Sequence, residues 1–322
     1  MNGRHSYITT IGRKYQSISP AFAFFDYVFG FPFLFAREKR LPALILLAPP
    51  RSGSTLTYQL LVNAFENTHL TNIQNLLYAT PRTGMWLSSL KCGNKSAGYT
   101  SKQGFVDGLC GEAEGLKFWS YWTGIGIDQF QSEFKPGKTE RIKRILSKQN
   151  SSEKALITGY MGHVFAIEEM ANLFPEALFV YLKRDLLSNA YSIFNVAPQN
   201  WFSVKTQSYP LVEKQDRYHQ IAAQLLDVHQ LILNKVPYNA VSIEYKEVCH
   251  NPASVVDDIL RAAKVHDVVL NRKNNKDLPE AFTQKIVHPN QDKHANRLYH
   301  ALKDELDKRD DKIKKCFKSE FE

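Results

Sequence analysis

Cysteine is scarce. Four residues, Cys92, Cys110, Cys249 and Cys316, are scattered over 322 positions, and no two of them form a C-x-x-C pair or any other metal-ligand spacing. This excludes the zinc ribbon and knuckle classes and argues for reduced thiols in a cytoplasmic protein over a disulfide framework. Long apolar runs are lacking too. The longest, AFAFFDYVFGFPFLFA from Ala21 to Ala36, is interrupted by Asp26 and Pro32 and is shorter than the roughly 20 residues a spanning helix needs. For a secretory signal it starts too late and lacks the small-residue cleavage site. Acids are outnumbered, 32 against 41 Lys and Arg, for a formal charge of +9. That surplus points to an anionic partner, which nucleic acid, an acidic membrane surface or a multiply charged cofactor would each satisfy. No RNA- or DNA-binding motif accompanies it, so nucleic acid is not expected. Repeats, low-complexity tracts and Ser/Gly/Pro-rich linkers are also missing, and 43% hydrophobic with 23% charged residues is an ordinary globular composition.

One stretch stands out, ALILLAPPRSGSTLTYQLLVNAF from Ala43 to Phe65. Six apolar residues, Ala43 to Ala48, stop at Pro49 and Pro50. After Arg51, Ser52, Gly53, Ser54 and Thr55, apolar residues return at Leu56, Leu60, Leu61 and Ala64. The continuous run reads as a buried parallel strand and the three-and-four spacing as a helix. The turn between them has the physics of a phosphate loop. A glycine lets the backbone approach a ligand, and the unpartnered N–H groups and positive dipole end of the helix attract an anion. A nucleoside-triphosphate loop would carry a lysine after its second glycine. Here Ser54 follows Gly53 and the cation comes before it, as Arg51. A second strand-like run, ALFVYLK from Ala177 to Lys183, ends in Arg184 and Asp185, with Ser192 eight residues beyond Arg184. That interval covers a turn plus about two helical turns and returns the serine to the strand's carboxyl end. An arginine's planar fork of donors matches phosphate.

Both elements resemble the sulfotransferases that use 3′-phosphoadenosine 5′-phosphosulfate (PAPS). The resemblance spans roughly residues 42 to 260. It implies that Arg51 reaches the 5′-phosphosulfate, that Ser52, Gly53, Ser54 and Thr55 hold the rest of that end, and that Arg184 and Ser192 grip the 3′-phosphate. It also implies PAPS as sulfuryl donor, no metal, and a hydroxyl-bearing acceptor. The chain departs from the family's pattern in places. Leu187 and Ser188 stand where many relatives carry a basic residue and an aspartate. GYMGH replaces a KTPxH-like stretch, so that only His163 matches. Tyr245, Glu247, Val248 and Pro252 resemble YEDLxxxP, although Lys246 replaces the usual acid. Lys285, His288, Lys293 and Arg297 are candidates for the basic cover that relatives place near the C-terminus, without its RKGxxGxW form.

Three residues compete as catalytic base. Glu112 and Glu114 follow a loop-like stretch, Lys91 to Gly111, and precede Phe118, Trp119, Tyr121 and Trp122. A carboxylate beside an aromatic wall builds a sugar subsite and raises the pKa of a base. A capping carboxylate followed by core aromatics fits the same letters. His163 has the better intrinsic pKa but the poorer motif. The order is Glu114, then His163, then Glu112. The wall and the loop favour a carbohydrate or glycosylated acceptor, a glycan or glycolipid, over a phenol. A small hydrophobic alcohol or amine remains open, as does a nucleotide-binding relative without chemistry.

The remaining elements are a basic amphipathic helix over 138–149, a strand over 155–158, a turn and helix over 159–174, a long helix over 211–236 and a strand over 239–243. The aromatic run at 21–36 is expected to pack on the domain. Its alternative is a peripheral membrane contact through 21–40, with Phe29, Phe31 and Phe33 near Arg37, Lys39 and Arg40 at a headgroup interface. Together these predict an arm over 1–40 and a single α/β domain over 41–322. That domain has a mostly parallel central sheet, helices on both faces, and PAPS across the carboxyl ends of its strands in a P-loop-like arrangement.

Overall fold

The computed structural model describes residues 40–92, 98–101, 106–127, 133–135, 137–149, 154–196, 204–274 and 278–321, together with Phe24, Asp26 and Val28. In chain order, β1 (Ala43–Leu47) leads to α1 (Ser54–Ala64), β2 (Asn67–Thr68), α2 (Asn72–Leu76), α3 (Pro81–Cys92), α4 (Leu116–Thr123) and α5 (Lys138–Gln149). Then come β3 (Ala155–Thr158), a 3-10 turn (Met161–Phe165), α6 (Ile167–Leu173), β4 (Ala177–Lys183), α7 (Leu186–Val196), α8 (Tyr209–Val212) and α9 (Arg217–Lys235). The chain closes with β5 (Ala240–Glu244), α10 (Tyr245–His250), α11 (Pro252–Val265), α12 (Lys293–Asp307), α13 (Asp311–Phe317) and a second 3-10 turn (Lys318–Glu320).

The strands form one sheet in the order β2-β3-β1-β4-β5, and every pairing is parallel. Parallel sheets are covered on both faces, which is why β1 and β4 read as unbroken apolar runs. Their alternate side chains feed two cores. Ala43, Ile45, Leu47, Phe179 and Tyr181 join a cluster with α4, α6, α9 and α12 residues such as Trp119, Met170, Leu225 and Leu298. Leu44, Leu46, Leu178, Val180 and Leu182 join the other, with Leu60 of α1 and Val256 and Ile259 of α11. Truncating any one of these fully buried leucines to alanine costs about 2–5 kcal/mol.

The topology fixes where a ligand sits. From β1 the chain crosses towards β2 at one edge, and from β4 it crosses towards β5 at the other. The two strands are neighbours, with Leu47 opposite Tyr181, so their carboxyl-end loops diverge from one point. Crevices of this kind bind ligands in open α/β sheets.

The thiol expectation is corrected. Cys92 and Cys110 form a disulfide between residues 18 apart in sequence, leaving Cys249 and Cys316 free. The end of α3 and the approach to Glu112 meet because Asn72 and Ile73 of α2 donate backbone bonds to Gly111 O at 2.9 Å and Leu109 O at 3.0 Å. The thiol argument for a cytoplasmic setting fails with it, since such bonds persist in oxidising compartments. The long helix expected over 211–236 is two, α8 and α9, because the side chain of Asp216 accepts from the N–H groups of Tyr218 and His219 and starts α9 afresh. In the arm, Phe24, Asp26 and Val28 are helical. Asp26 is buried, accepts from Thr83 N at 3.0 Å and pairs with Arg82 at 3.4 Å. The Phe29, Phe31 and Phe33 face lies outside the described residues. Among the described residues no helix is long and apolar enough to cross a membrane.

Candidate active site

The loop after β1 is held as an anion cradle. Ser52 donates its hydroxyl to Pro49 O at 2.8 Å, and both Arg51 (φ 62°) and Gly53 (φ 96°) adopt left-handed backbone. Gly53 is required twice over. Its φ disfavours a side chain, and a Cβ there would lie 2.1 Å from Cε2 of Tyr245. No side chain caps α1 and its first turn holds no acid, so the positive end of the helix is directed at the cradle.

The loop after β4 meets the cradle from the neighbouring strand. Arg184 donates from Nη1 to Arg51 O at 3.0 Å and from Nη2 to Lys285 O at 3.1 Å. Its guanidinium lies 5.0 Å from the centre of the Tyr245 ring. α7 then returns two side chains one turn apart to the same loop. Asn189 donates to Pro50 O at 2.6 Å, and Ser192 accepts from Arg51 Nε at 3.4 Å. The structure thus brings Arg51, Arg184 and Ser192 together. Asn189 was not singled out from the sequence, although its place three residues before Ser192 marks it as sharing that face.

This arrangement suits an anionic ligand. Arg184 Nε is buried without a partner, and a buried unpaired donor is costly unless a ligand accepts from it. The Arg51 guanidinium is held below its usual pKa by burial and then by the charge of Arg184, with Glu114 opposing. Two guanidinium cations held this close favour an anion between them. Among the described residues no group of His, Cys, Asp and Glu side chains could hold a metal ion.

Glu114 comes to the cradle from the loop after Cys110. Its Oε1 accepts from Thr55 Oγ1 at 2.8 Å and from Ser54 Oγ at 3.4 Å. Burial pushes its carboxyl up to about 7, against the lowering effects of those hydroxyls and of Arg51. Glu112 faces elsewhere, accepting from Gln59 Nε2 at 3.4 Å. His163 is 2% exposed, bonded to Thr158 Oγ1 at 3.1 Å and packed edge-on against Trp119 and Tyr160. Burial pushes its pKa down to about 3. The expected aromatic wall is corrected as well. Phe118, Trp119 and Trp122 are buried in the core, and of the four rings only Tyr121 is partly exposed. The reason is helical period: α4 turns Phe118, Trp119 and Trp122 onto one inward stripe.

An anion cradle at the head of a parallel sheet, with two converging arginines and a carboxyl beside them, suits the binding and transfer of an anionic group. The chain belongs to the sulfotransferase family, whose pattern it matches over residues 42–267. It is a sulfotransferase, an enzyme that transfers a sulfuryl group from a PAPS-type donor to a hydroxyl-bearing acceptor. It is similar in structure to the sulfotransferase STF1 from Mycobacterium tuberculosis H37Rv, at 15% identity and TM-score 0.46, covering 75% of this chain and 72% of that one. For STF9 from Mycobacterium avium the values are 19%, 0.46, 72% and 65%. For a sulfotransferase from Alicyclobacillus acidocaldarius they are 9%, 0.43, 86% and 96%. The family assignment rests on the matched stretch and not on these distant likenesses. A comparison with curated proteins finds no match.

Proposed function

We propose that this enzyme transfers the sulfuryl group of PAPS to a hydroxyl of a carbohydrate or glycosylated acceptor, with Glu114 as general base. The observation that carries the assignment of the base is the 2.8 Å bond between Glu114 and Thr55 at the amino end of α1. It sets a carboxyl of pKa about 7 beside the anion cradle, where a proton acceptor is useful at neutral pH. PAPS, when bound, supplies a sulfuryl group attached to a phosphate that leaves as an anion. Arg51 and the first amides of α1 hold that 5′ end and stabilise the charge it gains. Arg184 and Ser192 hold the 3′ end, and Asn189 steadies the loop through Pro50 O. Glu114 orients the acceptor hydroxyl and takes its proton as the new S–O bond forms. His163 is assigned a core role, because its buried imidazole is bonded to Thr158 and walled by aromatic rings.

What supports a carbohydrate acceptor is the polar setting of Glu114, among Ser54 and Thr55 hydroxyls, and the partly exposed Tyr121, whose ring lies 3.9 Å from Lys138 Nζ. A peripheral membrane contact through the arm has support in Phe24 and Val28, 71% and 50% exposed on either side of buried Asp26. The test is a screen of the purified enzyme with radiolabelled PAPS against polysaccharide, glycolipid and phenolic pools. Label in the first two supports the assignment, and label confined to phenols overturns the acceptor class.

A further inference from the structure

The residues that steady Arg184 lie partly outside the family stretch, which ends at residue 267. A segment from Phe282 to Asp292 crosses the carboxyl ends of β4 and β5. It begins where Phe282 N donates to Cys249 O at 2.7 Å and ends where Asp292 caps α12. At its middle Lys285 O accepts from Arg184 Nη2 at 3.1 Å. α7 clips the same segment at two points one helical turn apart. Val287 N donates to Ser188 Oγ at 2.9 Å, and Tyr191 donates to Asp292 Oδ2 at 2.5 Å.

α7 is therefore a brace with two faces. Asn189 and Ser192 hold the phosphate loop at Pro50 and Arg51, while Ser188 and Tyr191 hold the segment beyond the family stretch. Arg184 spans the two, one Nη on a carbonyl of each. With both Nη groups oriented by main-chain oxygens, the buried Nε, which has no partner, and one N–H of each Nη are left for a ligand. A guanidinium fork so fixed loses little rotamer freedom on meeting a phosphate.

We infer that Ser188 and Tyr191 are positioning residues for the donor: by clipping residues 285–292 to α7 they hold Lys285 O against Arg184 and preset its fork for a terminal phosphate. Neither side chain is assigned a contact with the donor. The inference deepens the proposed PAPS binding and rests on it. It also gives a local role to Ser188, through its bond to Val287 N.

The test is a double-mutant cycle read by titration calorimetry with adenosine 3′,5′-bisphosphate. Ser188→Ala should weaken binding about fivefold, the effect of one lost hydrogen bond. Tyr191→Phe, which removes a single hydroxyl from a partly exposed ring, should weaken it about threefold. Turnover at saturating PAPS should stay within about twofold in both. In an Arg184→Ala background, Ser188→Ala should add almost nothing, because its effect passes through Arg184. Unchanged affinity in Ser188→Ala and Tyr191→Phe, with only a lower Tm, would mean mere structural caps and overturn the inference. So would full additivity with Arg184→Ala. If the wild-type enzyme itself does not bind the bisphosphate, the donor assignment falls and this inference falls with it.

Discussion

Thr55 donates its hydroxyl to Glu114 Oε1 across 2.8 Å, so the helix that starts at the phosphate loop and the loop that leaves the Cys92–Cys110 disulfide meet at one carboxyl group. Thr55 lies in the first turn of α1, where a helix favours negative charge, and Glu114 supplies it from 59 residues away.

Glu114→Gln keeps shape and hydrogen bonding and removes basicity. Turnover should fall by roughly 10² or more, with bisphosphate binding unchanged. Wild-type kcat should rise with pH through about 7, as the carboxyl loses its proton, and that limb should be missing in the variant. Stability should show the opposite sign. The folded carboxyl, raised from 4.5 to about 7, binds its proton more tightly than in the unfolded chain, so its cost to stability grows between those pH values and is complete above them. Glu114→Gln should thus melt higher than wild type at pH 8 and not at pH 4, by calorimetry. Normal turnover in Glu114→Gln alongside a dead His163→Ala that still binds bisphosphate would reassign the base to His163.

The two arginines should separate kinetically. Arg51→Ala should lose mainly kcat, since only the 5′ end gains charge in the transition state, and Arg184→Ala mainly donor affinity. Charge-assisted bonds put each loss at about 1.5–3 kcal/mol. Steady-state kinetics indistinguishable from wild type in both variants would contradict the assignment.

Gly53→Ala forces a left-handed backbone, at about 1–2 kcal/mol, and drives a methyl group into the Tyr245 ring. The expected result is a lower Tm and loss of bisphosphate binding, read in one thermal-shift experiment with and without ligand. Retained binding would show that the cradle tolerates displacement of Tyr245.

Denatured without reductant, the chain should titrate two thiols, those of Cys249 and Cys316. Reduction should lower stability by about 3 kcal/mol and Tm by roughly 5 °C. Four titratable thiols in freshly purified protein would speak against the bond.

The strands and the cradle were legible because their signals are local. β1 and β4 are buried on both faces and so are apolar at every position, and PRSGST carries its glycine, cation and hydroxyls within six residues. The eight-residue interval from Arg184 to Ser192 also survives folding, since it is set by helical geometry within one turn and helix. What escaped depends on distant partners. Cys92 and Cys110 have no motif, and Cys110 is set in place by bonds from the distant α2 to its neighbours Leu109 and Gly111. The aromatic rings after Glu114 have a helical period that places them inward as readily as outward, and only the second layer of helices decides between them. Asn189 and Ser188 are ordinary letters until Pro50 O and Val287 N arrive opposite them.

The most direct measurement is calorimetric titration of the purified enzyme with adenosine 3′,5′-bisphosphate and, separately, with ATP and magnesium. The cradle lacks the lysine of a nucleoside-triphosphate loop and brings Arg184 against Arg51 O, and under the proposed function the two arginines serve opposite ends of a bisphosphate. Saturable binding of the bisphosphate, weakened by about 1.5–3 kcal/mol in Arg184→Ala and not matched by ATP with magnesium, is the predicted result. Binding of ATP with magnesium in its place would contradict PAPS as the donor.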